Sequence, residues 1–200
     1  MLLIGPTGSG KTPLGRLTEA EGLWGLRFVQ FDFGERLRAA ARPLAGTPLN
    51  AEQVATVRES LRTGALLTGE QFPIAEAVLR GFLAGPGPGA RERVLLNGLP
   101  RHVGQARQVD RLLRVEAVVE LACPDEVVLE RIRRNTGGDR GGRTDDVREA
   151  VLARLATFRR DTQPLVAHYR AAGARVETVR VAADTTAADV RRELESRGAD

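Results

Sequence analysis

The segment Gly5–Thr12 constrains this chain more than any other, because its sequence GPTGSGKT matches the pattern G-x-x-x-x-G-K-[ST] in full. A short apolar run, Met1–Ile4, precedes it, and a helical pattern near 11–22 follows it. This order of strand, loop and helix is the context in which the pattern forms a phosphate-binding loop. The motif therefore predicts that the chain binds a nucleoside triphosphate at the end of its first strand.

The parts of this loop have distinct roles in binding. Glycines let successive backbone N–H groups turn inward around a phosphate, and the following helix N-terminus adds partial positive charge. Lys11 can reach the β and γ phosphates, and the hydroxyl of Thr12 can bind Mg²⁺. Lys11 is the only lysine among 30 basic residues, and a compact ammonium fits between phosphate oxygens where a planar guanidinium does not. The residues expected to bind ATP here are Gly5, Gly8, Ser9, Gly10, Lys11 and Thr12.

The rest of the 200 residues alternates between short apolar runs and longer helical patterns. Such alternation predicts a parallel sheet with crossover helices, here a single α/β P-loop NTPase domain over 1–200 with three layers and helices on both faces of the sheet. Five strands are expected, at Met1–Ile4, Leu26–Phe31, Arg93–Leu96, Val115–Leu121 and Arg175–Val181. Helices are expected near 11–22, 35–42, 51–63, 70–84, 103–113, 125–135, 146–171 and 187–197.

Composition excludes several classes of protein. The net charge is +4, basic residues are interleaved with acidic ones, and aromatic residues make up 4%, so we expect no nucleic-acid partner. No apolar run approaches the length of about 20 residues that spans a bilayer, and the N-terminus does not resemble a signal peptide. A single cysteine, Cys123, cannot form an internal disulfide. We expect a cytoplasmic monomer without membrane contacts.

Further segments resemble motifs of the adenylate kinase and nucleoside monophosphate kinase family, and the likeness extends over nearly the whole chain. Gly34–Arg38 is similar to the motif T-G-D-x-L-R, Asn97–Arg101 to D-G-F-P-R, and Gly142–Asp146 to G-R-x-D-D. Other similar segments are Gly64–Thr68, Cys123–Glu126 and Thr162–Leu165. The expected reaction is therefore transfer of the γ-phosphoryl group of ATP to a nucleoside monophosphate, with AMP as the first expectation and Mg²⁺ as cofactor.

The resemblance implies a set of residues that bind the acceptor nucleotide. Arg38 and Arg101 would bind its phosphate, at the carboxyl edge of the sheet where ligands bind in open α/β folds. Leu67 belongs to the segment that contacts the acceptor base, and Gln105 matches the glutamine that reads this base. Phe33 stands beside the base at a position where the family commonly has threonine.

The resemblance also implies donor contacts and mobile parts. Arg131 would stack on the donor adenine, and Arg143 and Arg154 would neutralise charge during transfer. A helical acceptor-binding insertion is expected near 33–70, and a short Gly-rich lid near 135–145. The catalytic set would then be Lys11, Arg101, Arg143 and Arg154.

Two departures from the family pattern leave alternatives open. Asn97, expected with Thr12 at the metal, stands where the family has aspartate, and an amide carries no charge. Weaker metal binding, and a nucleotide-binding relative with weakened catalysis, are therefore alternatives. Asp32 and Phe33 favour another alternative, a small-molecule kinase of the shikimate or gluconate type in which Asp32 orients a substrate hydroxyl. The simplest interpretation of Asp32 is a cap on the following helix.

Overall fold

The computed structural model describes residues 1–42, 49–85, 89, 91–139 and 147–198. Within these ranges the strands are β1 (Leu2–Ile4), β2 (Arg27–Asp32), β3 (Glu92–Asn97), β4 (Ala117–Ala122) and β5 (Arg175–Arg180). The helices are α1 (Lys11–Glu21), α2 (Phe33–Ala40), α3 (Ala51–Thr63), α4 (Phe72–Ala84), α5 (Val103–Val109), α6 (Asp125–Arg134), α7 (Arg148–Thr157), α8 (Pro164–Ala171) and α9 (Ala187–Arg197).

The strands form one parallel sheet in the order β2-β3-β1-β4-β5. β1 therefore lies at the centre, and the loop that follows it emerges at the middle of the carboxyl edge. β2 and β3 end side by side, with Asp32 paired with Asn97 across the two strands. The five-stranded parallel sheet predicted from the sequence is confirmed, and its order places three strand ends around one point.

Two hydrophobic cores cover the two faces of the sheet, because successive side chains of a strand point to opposite faces. Leu2 and Ile4 belong to the core that also contains residues of α4, α5 and α8. Leu3 belongs to the other core, together with residues of α1 and α9. Helices therefore pack on both faces, as the three-layer prediction required.

The helical pattern near 146–171 is not one helix in the structure. α7 ends at Thr157, a π-helical turn spans Phe158–Thr162, and α8 begins at Pro164. Proline has no N–H, and its ring crowds the carbonyl four residues earlier, so an α-helix cannot continue unchanged through it. The backbone widens instead, with the N–H of Gln163 donating to the carbonyl of Phe158 at 2.9 Å. None of the helices in the described ranges is long and apolar enough to cross a membrane.

Candidate active site

The Gly5–Thr12 loop curls around its own lysine. Gly8 and Gly10 adopt φ values of 74° and 99°, which side chains disfavour. A Cβ on Gly8 would lie 2.8 Å from a side-chain carbon of Ile132, so this glycine is required both by conformation and by space. The ammonium of Lys11 donates hydrogen bonds to the carbonyl oxygens of Gly5 and Pro6, at 2.6 and 2.7 Å. The positive charge therefore lies inside the loop, where a phosphate would bind.

A closed hydrogen-bonded group joins three elements beside this loop: Thr12 at the start of α1, Asp32 at the end of β2 and Asn97 at the end of β3. The hydroxyl of Thr12 donates to Oδ2 of Asp32 at 2.9 Å. The Nδ2 group of Asn97 donates to the same carboxylate oxygen at 2.8 Å and to the Thr12 hydroxyl oxygen at 3.1 Å. Because a carboxylate only accepts, the amide must present its nitrogen to Asp32.

The second oxygen of Asp32 has a structural role. Its Oδ1 accepts a hydrogen bond from the N–H of Glu35 at 2.9 Å and caps α2. The interpretation of Asp32 as a helix cap is therefore confirmed, but it is incomplete, because the other oxygen of the carboxylate faces Thr12.

Arginines converge on the cleft next to the loop, which has a volume of about 270 Å³. Its lining includes Lys11, Thr12, Arg38, Arg101 and Arg154. Burial lowers the pKa of the Arg101 guanidinium; the charge of Asp32 opposes this shift, and that of Arg38 adds to it. The cleft therefore concentrates positive charge from α1, α2, α7 and the segment after β3, as binding of several phosphates requires.

Arg101 is positioned by its neighbours. Its Nε donates to the carbonyl of Gly98 at 3.0 Å, and its N–H donates to the side-chain oxygen of Gln105 at 2.9 Å. The nitrogen of the Gln105 amide donates to the carbonyl of Leu67 at 3.0 Å. Gln105 is 1% exposed, so in this structure it links α5 to the α3–α4 loop and does not line the cleft. The hydroxyl of Thr162 adds a bond to the Arg101 carbonyl at 2.8 Å.

Arg131 on α6 is buried, at 3% exposure. Its Nε donates to the carbonyl of Gly8 at 3.0 Å, and one terminal nitrogen donates to the carbonyls of Ala182 and Thr185 at 2.7 and 2.8 Å. The guanidinium thus connects the phosphate loop to the loop between β5 and α9. The family resemblance implies that Arg131 stacks on the donor adenine, and no motif in the sequence indicates that it braces these two loops.

The remaining predicted site residues lie apart from the cleft or outside the described residues. Phe33 is buried in a core and stacks on Phe31, with ring centroids 6.1 Å apart. Leu67 is also buried, and its neighbour Leu66 lines the cleft instead. Arg143 lies outside the described residues, as do 140–145 of the predicted lid and 43–48 of the predicted acceptor-binding insertion.

The oxygen donors beside the loop suit a magnesium ion. The hydroxyl of Thr12 and the carboxylate of Asp32 are hard ligands, and Mg²⁺ commonly binds through one or two protein groups with phosphates and water completing its shell. Asn97, expected with Thr12 at the metal, instead directs its amide nitrogen to these two groups. Among the described residues, no group of three or more His, Cys, Asp or Glu side chains could hold a metal. One hydroxyl and one carboxylate fit a magnesium ion whose remaining ligands are phosphates and water.

The parallel sheet, the phosphate loop at its centre and the cationic cleft define a P-loop kinase fold. The sequence model of the adenylate kinase family matches residues 3–174, and the chain belongs to this family. It is 36% identical to the adenylate kinase of Parvibaculum lavamentivorans over 182 residues, which cover 86% of this chain and 80% of that protein. It is 34% identical to the adenylate kinase of Thermus thermophilus over 180 residues, with coverage of 86% and 84%.

A third relative and one solved structure extend the comparison. The adenylate kinase of Nitrobacter winogradskyi is 31% identical over 212 residues, covering 99% of this chain and 94% of that protein. The crystal structure of a gluconokinase from Sinorhizobium meliloti 1021 superposes with a TM-score of 0.56 at 21% identity, covering 99% of this chain and 90% of that chain. The similarity to the gluconokinase structure supports the fold alone.

Proposed function

We propose that this protein transfers the γ-phosphoryl group of ATP to a nucleoside monophosphate, AMP first among them. The observation that carries the proposal is the convergence of Lys11, Arg38 and Arg101 on one cleft. Two phosphorylated substrates must approach each other there, and their mutual repulsion is the main barrier to overcome. Membership of the adenylate kinase family and the adenylate kinase relatives support the same reaction.

Several residues of the chain have separate roles in the transfer. A phosphate oxygen of the acceptor attacks the γ phosphorus, and the bond to the β–γ bridging oxygen breaks. No side chain serves as nucleophile. Lys11 stabilises negative charge on the transferring group, while Arg101 and Arg154, and Arg143 from the lid, neutralise the phosphates around it. Bound Mg²⁺, held near Thr12, would supply further charge neutralisation.

The predicted contacts on the acceptor side define the test. Arg38 extends from α2 into the cleft and has no ion-pair partner among the described residues. Arg101 is held by hydrogen bonds to the Gly98 carbonyl and the Gln105 side chain. We propose that both bind the acceptor phosphate. Phe33, Leu67 and Gln105, which are buried beside the cleft, would shape the adjoining pocket for the acceptor base without lining the cleft themselves.

The test is ADP formation from Mg·ATP against a panel of nucleoside monophosphates, shikimate and gluconate. We expect turnover with one monophosphate and its loss in Lys11→Met. Arg101→Gln should lower kcat/KM for the acceptor by about 10- to 100-fold, since a charged hydrogen bond is worth about 1.5–3 kcal/mol. Arg107→Gln is the matched control, because Arg107 is exposed on α5, the helix that follows Arg101.

Two results would redirect the assignment. Turnover with gluconate or shikimate alone would support the alternative of a kinase with a hydroxyl acceptor. In that alternative Asp32, which lines the cleft, orients the substrate hydroxyl. Binding of ATP without consumption in the presence of any acceptor would support a nucleotide-binding relative with weakened catalysis.

A further inference from the structure

The unusual feature of this site is that its carboxylate lies on a different strand from the one the sequence motif would indicate. Asn97 occupies the aspartate position of the D-G-F-P-R motif, at the end of β3. Asp32 occupies the laterally paired position at the end of β2. We propose that Asp32 supplies the metal-directed carboxylate of this site and that Asn97 holds it in place, an inference that rests on the proposed use of Mg·ATP.

The first support is the contact with Thr12. In P-loop enzymes the Ser or Thr of the loop and a nearby aspartate hold the magnesium ion between them. Here the carboxylate within hydrogen-bond distance of that hydroxyl belongs to Asp32, at 2.9 Å. Asp32 also lines the cleft, so its Oδ2 lies where a metal carried by the β and γ phosphates would arrive.

The second support is the orientation of Asn97. This side chain is 4% exposed and directs its nitrogen to both Asp32 and Thr12. An amide in this place can donate to the carboxylate, whereas an aspartate in the same place would put two negative groups about 2.8 Å apart. The asparagine at 97 is therefore complementary to the aspartate at 32, and the pair carries one negative charge in total.

The third support is that Asp32 is anchored from both sides. Its Oδ1 accepts from the N–H of Glu35 while its Oδ2 accepts from Thr12 and Asn97. A carboxylate with all these bonds is fixed in direction before any ligand binds. Fixed ligands bind metals more tightly because outer contacts orient them.

The experiment compares nucleotide affinity with and without Mg²⁺, using a fluorescent non-hydrolysable ATP analogue so that no turnover is needed. The variants are Asp32→Ser, the double variant Asp32→Ser/Asn97→Asp, and Glu35→Gln as a control that removes a neighbouring exposed carboxylate. Serine at 32 keeps an oxygen to cap α2, so the fold is preserved. Asp32→Asn serves as a second neutral variant of nearly the same volume.

We expect Mg²⁺ to strengthen nucleotide binding in the unmodified protein and in Glu35→Gln. Asp32→Ser and Asp32→Asn should each lose about 10-fold or more of this enhancement, the usual cost of losing a residue that fixes a metal site. The double variant should regain most of it, because the single carboxylate returns to the end of β3. Asn97→Asp alone should lower the melting temperature in the absence of Mg²⁺. Addition of Mg²⁺ should then raise the melting temperature of this variant more than it raises that of the unmodified protein.

Two results would overturn the inference: an unchanged Mg²⁺ enhancement in Asp32→Ser, or no recovery in the double variant. Both leave the proposed function standing if the unmodified protein still converts its acceptor. Failure of the unmodified protein to bind the analogue at all would instead reject the proposed function together with this inference.

Discussion

Replacement of Arg131 by methionine should destabilise the protein far more than replacement of any surface arginine. Methionine keeps a flexible, unbranched apolar side chain but has no hydrogen-bond donors. The variant therefore leaves the carbonyl oxygens of Gly8, Ala182 and Thr185 without the guanidinium that now bonds them at 2.7–3.0 Å. Because the side chain is 3% exposed, water cannot take its place without local rearrangement.

The magnitude follows from the bonds lost. Each hydrogen bond from a charged donor contributes about 1.5–3 kcal/mol. Two of the three bonds share one nitrogen, so their contributions do not add in full. We expect the free energy of unfolding to fall by about 3–4 kcal/mol, which lowers the melting temperature by about 10 °C in a chain of this size.

The assay is urea denaturation followed by circular dichroism, with Arg133→Met as the matched control. Arg133 lies on the same helix, its side chain is 72% exposed, and it pairs with Glu130. An exposed pair of this kind contributes about 0–1 kcal/mol. Equal denaturation midpoints for the Arg131 and Arg133 variants would refute the assignment of Arg131 as the brace between the phosphate loop and the β5–α9 loop.

Further predictions concern Gly8, Gln105 and Cys123. Gly8→Ala should lower ATP affinity by about 10-fold or more, measured by calorimetry, because a methyl group would lie 2.8 Å from Ile132 at a φ of 74°. Gln105→Leu should lower the denaturation midpoint and raise the acceptor KM, because the N–H of Arg101 loses its partner. Burial raises the pKa of the Cys123 thiol to about 11, from an ordinary 9.0. Thiol labelling at pH 8 should therefore be about 100-fold slower than for an ordinary cysteine. Because the folded state holds the thiol proton to a higher pH than the unfolded state does, the free energy of unfolding should decrease as the pH rises from 9 to 11.

Much of the fold could be predicted from the sequence because its signals are local. The apolar runs predicted the five strands, and the Gly5–Thr12 motif with its flanking elements placed the phosphate loop at the end of the first strand. The break near Pro164 was also visible as a residue type, but a proline at the first turn of a new helix and one inside a continuous helix look alike along the chain. Thr162, whose hydroxyl donates to the Arg101 carbonyl, lies in the π-helical turn at that break.

The roles of Arg131 and Gln105 could not be predicted, because they depend on partners distant in sequence. Arg131 lies more than 50 residues from Ala182 and Thr185, and in a chain with 29 arginines nothing distinguishes a buried one. Gln105 bonds Leu67, 38 residues away. Family resemblance assigned both side chains to bases, and the structure adds that their polar atoms already bond the backbone.

The pair Asp32 and Asn97 shows why a position-by-position comparison with a motif can mislead. Considered alone, Asn97 lacks the negative charge of the aspartate that the family has at this position, which predicts weak metal binding. Taken with its lateral partner on β2, it is the neutral member of a pair that still holds one carboxylate beside Thr12. What the chemistry needs is a negative oxygen at that point of the sheet edge, and either neighbouring strand end can provide it. Adding an aspartate at 97 to this chain should therefore introduce repulsion, and only its combination with removal of Asp32 should restore a site with a single carboxylate.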